Sequence, residues 1–114
     1  MSDPRERILD MLEAIDRIER HTARRRSTFE GDELLQTWVV HHLQIIGGAA
    51  AKLGSEFHDA HPQIPWPQVM AMRNVLVHDY FGIDPAEVWQ TVERDLPALK
   101  GKLRELAAEL SSSE

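Results

Sequence analysis

The sequence predicts an all-α protein: one antiparallel bundle of four to five helices over residues 1–114, with a kink in the last helix. Three observations carry that prediction. Apolar residues recur at steps of three and four, the helical period, rather than at two. Two Asp-Pro pairs, Asp3-Pro4 and Asp84-Pro85, are each followed by glutamate three residues after the aspartate, the pattern of a capped helix start. No internal repeat or low-complexity linker divides the chain, so a single domain is expected.

The first helix starts at the Asp3 cap and carries Ile8, Met11, Leu12, Ile15 and Ile18 on one apolar stripe. Residues 24–31 read as a polar break. A second helix holds Leu34, Leu35, Trp38, Val39, Leu43, Ile46, Ala49, Ala50 and Leu53, with Gly54 as its C-cap. Inside it Gly47 and Gly48 each cost about 1 kcal/mol relative to alanine. A close neighbouring helix over 47–51 would offset that cost. Residues 55–66 are expected to form an irregular loop, because Pro62 and Pro65 forbid a continuous helix. A third helix runs from Pro67 to about Tyr80 and ends at Gly82. The fourth starts at Asp84 and carries Val88, Val92, Leu96, Leu99, Leu103, Leu106 and Leu110 as a near-heptad seam, kinked at Pro97. Residues 111–114 are a frayed tail.

Composition narrows the chemistry. The chain has 114 residues, 42% hydrophobic and 28% charged, enough for one modest core. It has no cysteine, which removes disulfides, thiolate nucleophiles and Cys-containing zinc sites. Apolar runs are too short to span a bilayer, and the first residues lack signal-peptide character, so a cytoplasmic protein without membrane contact is expected. The net charge of −6 is unevenly spread: residues 1–26 hold seven arginines against six acids, the remainder six bases against thirteen. Arg17, Arg20 and Arg24 recur at helical spacing and could form a stripe that meets RNA phosphates. The plainer reading of the same residues is a solvated face paired with Asp16 and Glu19.

The run Arg73-Asn74-Val75-Leu76-Val77-His78-Asp79-Tyr80 concentrates the chemistry. Arginine grips phosphate oxygens through a rigid fork of donors, and histidine moves protons near neutral pH. On a helix, Asn74 and His78 lie one turn apart, with Arg73 and Tyr80 on a common face to one side. All four could border one groove if something else supplied the opposite wall. An ordinary amphipathic helix, with Val69, Met70, Val75, Leu76 and Val77 in the core and Arg73 solvated, fits these residues as well.

Arg73-x4-His78-x-Tyr80 resembles the signature of HEPN-domain proteins of the HepT type, the toxin half of HepT–MntA toxin–antitoxin pairs. The resemblance covers nearly the whole chain. It takes in Ile8-Leu9-Asp10-Met11-Leu12-Glu13-Ala14-Ile15, Leu43-Gln44-Ile45-Ile46-Gly47, Ile64-Pro65-Trp66, Met72 to Asp84, Val88-Trp89 and Asp95-Leu96-Pro97. It implies a homodimer in which two motifs line a shared cleft, and a metal-independent endoribonuclease that transfers phosphate to the adjacent 2′-oxygen of RNA. His78 would be general base or acid, Arg73 would stabilise the transition state, and Asn74 would support them. Tyr80 resembles the residue that a partner MntA-like nucleotidyltransferase, the antitoxin, adenylylates. The resemblance leaves a second reading: a non-catalytic HEPN subunit that binds a nucleotide or serves a nucleotidyltransferase. A purely structural helical adaptor is the third.

The chain also departs from the family pattern, with Gln44 and Gly48 where acidic residues are common and His41-His42 as the preceding polar pair. No cofactor is expected. His58-Asp59-Ala60-His61 is the best local cluster for a metal, yet it lacks the i, i+4 pair and glutamate of a metalloprotease helix, and no metal site is expected. Trp38, Trp66 and Trp89 read as core or interface anchors.

Overall fold

A computed structural model describes residues 3–23, 26–74 and 84–112, and no β-strand occurs among them. The all-α expectation holds. Helix α1 spans Pro4–Thr22. The Asp3 carboxylate accepts the Arg5 backbone N–H at 3.0 Å, satisfying one of the free donors at the helix start. The buried stripe is Ile8, Met11, Ala14, Ile15, Ile18 and Thr22, and the Thr22 hydroxyl donates back to the Ile18 carbonyl.

Residues 26–30 correct the expected polar break: Arg26–Glu30 is a short helix, α2. Its Phe29 is 1% exposed, and its ring lies 5.3 Å from that of Trp89. A single turn can exist here because it is held from outside. The buried Gln36 amide donates to the carbonyls of Phe29 and Glu30, both at 3.0 Å, capping the end of α2 from the next helix.

Helix α3, Glu33–Leu53, packs along α1. The Asp32 side chain caps its start through Leu35 N–H. Its core face is Val39, Val40, Leu43, Ile46, Ala49 and Ala50. Gly54, at φ +85°, ends it in the left-handed region where glycine escapes the Cβ penalty. Here the expectation of an irregular loop over 55–66 needs a second correction. Ser55–Ala60 forms helix α4, which fits because the two prolines lie beyond its last turn. Proline forbids a helix that runs through it from the N-terminal side, not one that stops before it.

Helix α5, Trp66–Ala71, contains Pro67 in its first turn and packs on α3. Regular helix ends at Ala71, short of the expected limit near Tyr80. Met72, Arg73 and Asn74 continue as tight turns, their N–H groups bonding to the carbonyls of Val69, Met70 and Ala71, three residues back. The remainder of the expected third helix lies outside the described residues.

The last helical tract comprises α6, Pro85–Gln90, a π turn over Thr91–Asp95 and α7, Leu96–Ser112. The Asp84 carboxylate caps it through Ala86 and Glu87 N–H. The irregularity expected at Pro97 takes the form of this π turn just ahead of it: Leu96 N–H bonds to the Thr91 carbonyl, five residues back. The proline lacks the N–H that a regular helix would direct to Glu93, so a widened turn costs little there. Leu96, Leu99, Leu103 and Leu106 are buried, and α7 lies against α1, where Lys100 Nζ meets Glu19 Oε1 at 2.5 Å. No helix among the described residues is long and apolar enough to cross a membrane.

Candidate functional site

Arg73 is positioned by the packing of α5 on α3. Trp66, Val69 and Met72 are buried at 4%, 1% and 6% exposure, so the inner face of α5 is fixed in the core. Trp66 is further held by its indole N–H, which donates to the His61 carbonyl at 2.9 Å. At the end of this anchored segment Arg73 and Asn74 emerge exposed. Arg73 makes no ion pair with any described residue, so its fork of donors is not spent on a carboxylate there.

Gly47 explains how the turn comes so close to α3. A Cβ built on Gly47 would stand 2.7 Å from Arg73 N, 2.8 Å from Arg73 Cβ and 3.1 Å from the Met70 carbonyl oxygen. The absence of a side chain is what lets the Arg73 backbone rest on the helix. The neighbouring Gly48 is different: a Cβ there would meet nothing within 4 Å. Of the two glycines that weaken α3, one is required by the motif turn. The sequence signalled a close approach within 47–51, and only the structure says which residue makes it.

The other candidate residues are placed as follows. His78 and Tyr80 lie outside the described residues, so the one-turn relation between Asn74 and His78 is not described, and Arg24 is outside them too. Arg17 and Arg20 are exposed on α1, each ion-paired one turn back, Arg17 to Glu13 at 3.0 Å and Arg20 to Asp16 at 3.2 Å. They are separate from the Arg73 turn, and Arg17 borders a groove between α1 and α3. His41 is exposed and His42 is 4% exposed, with its Nδ1–H donating to the Trp38 carbonyl at 2.8 Å. Gln44 is half-buried, and Gly48 opens on the α1–α3 groove rather than on Arg73.

His58 is committed to structure. Its Nε2–H donates to the Ala50 carbonyl at 2.8 Å, and its ring stacks on Trp66 at 4.6 Å and 19°. The His61 ring lies 4.4 Å from Phe57. These contacts dock α4 and α5 against α3. Among the described residues no three His, Cys, Asp or Glu side chains come together as a metal-binding group. Trp66 and Trp89 are core anchors, whereas Trp38 is half-buried, in ring contact with His21 and His42, and its indole N–H is without a partner among the described residues.

Comparison with known proteins decides the family. Residues 11–106 match the model of the HepT-like family, described as ribonuclease HepT-like. The chain belongs to the HepT-like ribonuclease family. Among its relatives, "Probable ribonuclease HepT" of Thermococcus cleftensis is 42% identical over 100 residues, 85% of this chain and 89% of that protein. A Methanocaldococcus jannaschii protein named for a gamma-glutamylcyclotransferase and a candidate RNase is 33% identical over 105 residues. That match covers 91% of this chain and 47% of the relative, so the chain spans about half its length. A candidate RNase of Caldanaerobacter subterraneus subsp. tengcongensis is 35% identical over 78 residues, 68% of this chain and 70% of that protein. No solved structure matches the chain. Membership in the HepT-like family gives the exposed Arg73 at the end of α5 a chemical context that packing alone does not.

Proposed function

We propose that this chain is a metal-independent endoribonuclease, the toxin of a HepT–MntA type pair, acting on RNA through Arg73 and His78. The observation that carries the proposal is the Arg73 turn, pressed against Gly47 and with its guanidinium unpaired among the described residues, in a chain of the HepT-like ribonuclease family. His78 takes the proton of the 2′-hydroxyl as that oxygen attacks the adjacent phosphorus. The bond to the 5′-oxygen breaks, and the leaving oxygen takes up a proton, giving a cyclic phosphate and a 5′-hydroxyl. General acid–base catalysis of this kind contributes about 10² to 10⁴ in rate. Arg73 stabilises the charge that builds on the phosphorane-like transition state, and Asn74 holds His78 or a phosphate oxygen. Two chains form a homodimer about a two-fold axis, so that two motifs share one cleft and each supplies the wall the other lacks. An MntA-like nucleotidyltransferase controls the toxin by adding AMP to Tyr80, which fills the cleft and sets negative charge beside Arg73.

The test is cleavage of RNA by purified protein. Arg73→Ala and His78→Ala are expected to lower the rate by about 10² or more while the helical circular dichroism stays unchanged. Undiminished cleavage by folded His78→Ala overturns the mechanism. Absence of cleavage by the wild-type chain, with a nucleotide bound instead, would favour the accessory-subunit reading. Light scattering is expected to report a dimer, and mixing the two inactive variants should restore part of the activity if each cleft draws on both chains.

A further inference from the structure

The groove between α1 and α3, about 420 Å³, is separate from the Arg73 turn and has no role in the mechanism above. From α1 it is lined by Arg7, Asp10, Glu13 and Arg17, and from α3 by His41, His42, Gly48 and Lys52, among others. Because the two helices run antiparallel, Arg7 and Lys52 share one end, and Arg17 shares the other with the two histidines. Ten residues of α1 separate the arginines, about 15 Å at the helical rise. The cations therefore sit in two clusters along a trough, not around a single point.

We propose that this groove binds the phosphodiester backbone of single-stranded RNA, holding a stretch of the strand remote from the bond being cut. Three fixed cations face two carboxylates, a local positive balance in a chain of net charge −6. Both carboxylates are engaged with the arginines, Arg7 with Asp10 at 3.2 Å and Arg17 with Glu13 at 3.0 Å. Arg7 also reaches Glu6, outside the groove lining, at 3.9 Å, so Lys52 carries most of the unpaired charge. Donor capacity remains beyond those pairs: Lys52 is exposed and makes no ion pair with any described residue, so its ammonium is free to meet a phosphate. Arg7 Nε is buried without a hydrogen-bond partner among the described residues, which leaves its outer nitrogens to face the groove.

The carboxylates between the cation clusters disfavour a lone anion. A strand that meets both clusters at once gains from multivalency what each single contact lacks. Gly48 faces open space on the trough wall, since no packed neighbour lies within 4 Å of where its Cβ would be. It follows directly on Gly47, which carries the Arg73 turn, so a strand at Arg73 need only pass around α3 to reach the groove. The choice of RNA rests on the ribonuclease reading, and the test keeps the two claims apart.

Binding of a 2′-O-methyl RNA dodecamer, which lacks the attacking 2′-hydroxyl, is measured by fluorescence anisotropy across a salt series. Lys52→Gln and Arg7→Gln are each expected to weaken binding roughly three- to ten-fold, whatever the base sequence, and to lower the salt slope by about 0.7. Lys102→Gln, an exposed cation on α7 outside the groove, is expected to leave both unchanged. Unchanged slopes for folded Lys52→Gln and Arg7→Gln overturn the proposal. Loss of a dimer in those variants with RNA binding intact also overturns it, making the groove an interface between copies. An Arg73→Ala chain that no longer cleaves but keeps the groove-dependent slope supports it. The same slope in a chain whose cleavage ignores Arg73 removes the proposed mechanism and leaves the groove standing.

Discussion

Replacing Gly47 by alanine sets two opposed effects against each other at one position. In the interior of a helix the change gains about 1 kcal/mol from reduced backbone entropy in the unfolded chain and better propensity. At Gly47 the new methyl would lie 2.7 Å from Arg73 N and 2.8 Å from Arg73 Cβ. Ordinary carbon contact begins near ~3.5 Å, so the Arg73 turn would have to retreat by about 0.7 Å. Overpacking of this kind costs about 1–3 kcal/mol, which leaves Gly47→Ala destabilised by up to about 2 kcal/mol. Gly48→Ala is the control one residue away. With nothing within 4 Å it keeps the propensity gain alone and should be more stable than wild type by up to about 1 kcal/mol. Thermal unfolding followed by circular dichroism reads the difference at about 4 °C per kcal/mol for a domain of this size. Single-turnover RNA cleavage adds a second reading, since a shift of this order at Arg73 can cost about 10² in rate. If the two alanine variants rise in Tm together, the close approach at Gly47 is not a constraint on the protein and the placement of Arg73 loses its structural basis.

Gln36→Leu should destabilise the fold by about 1–3 kcal/mol, because the carbonyls of Phe29 and Glu30 lose their donor, and urea unfolding will measure it. Under the proposed mechanism, in which Arg73 and His78 act without a divalent ion, RNA cleavage should persist undiminished in excess EDTA; a metal-restored loss would reject that chemistry. If the proposed control operates, co-expression with an MntA-like nucleotidyltransferase should add AMP to Tyr80, seen by intact mass and peptide mapping, and Tyr80→Phe should accept none there. Modification confined to a serine would refute the assignment.

The parts of the fold that were legible in the sequence are those whose signal is local and repeated. The α1 stripe, the Asp3 and Asp84 caps and the leucine seam all place side chains by spacing within one helix, and each appears where its spacing put it. The short helices α2 and α4 were not legible, because their stability comes from elsewhere in the chain. Phe29 is the lone large apolar residue of α2, and it holds only because Trp89 and Gln36 meet it from distant segments. Likewise α4 leans on a His58 bond to Ala50 that no periodic pattern announces. At the candidate site, Arg73 stands out in the sequence by its chemistry and by its intervals from His78 and Tyr80, and the structure adds only where its backbone lies. Its supporting glycine was visible only as a helix weakness without a cause. The α1–α3 groove could not be read at all, since its two walls come from helices whose facing residues are more than twenty positions apart.

The π turn at Thr91–Asp95 amounts to one surplus residue in an otherwise continuous helix, and it sets the gearing between the two halves of that helix. Val88, Val92 and Leu96 follow one another at steps of four and four, whereas Leu96, Leu99, Leu103 and Leu106 proceed by three and four. The longer stride coincides with the wider turn, so both runs reach the same core despite their different phase. Deleting a single residue between 91 and 95 would restore regular winding and swing α6 by about 100° relative to α7. Trp89 would then leave Phe29, and α2 would lose the ring it rests on. Relatives that carry length differences in this segment should therefore also carry a different residue at the position of Phe29 or Trp89, the two sides of one contact changing with the count of residues between helices.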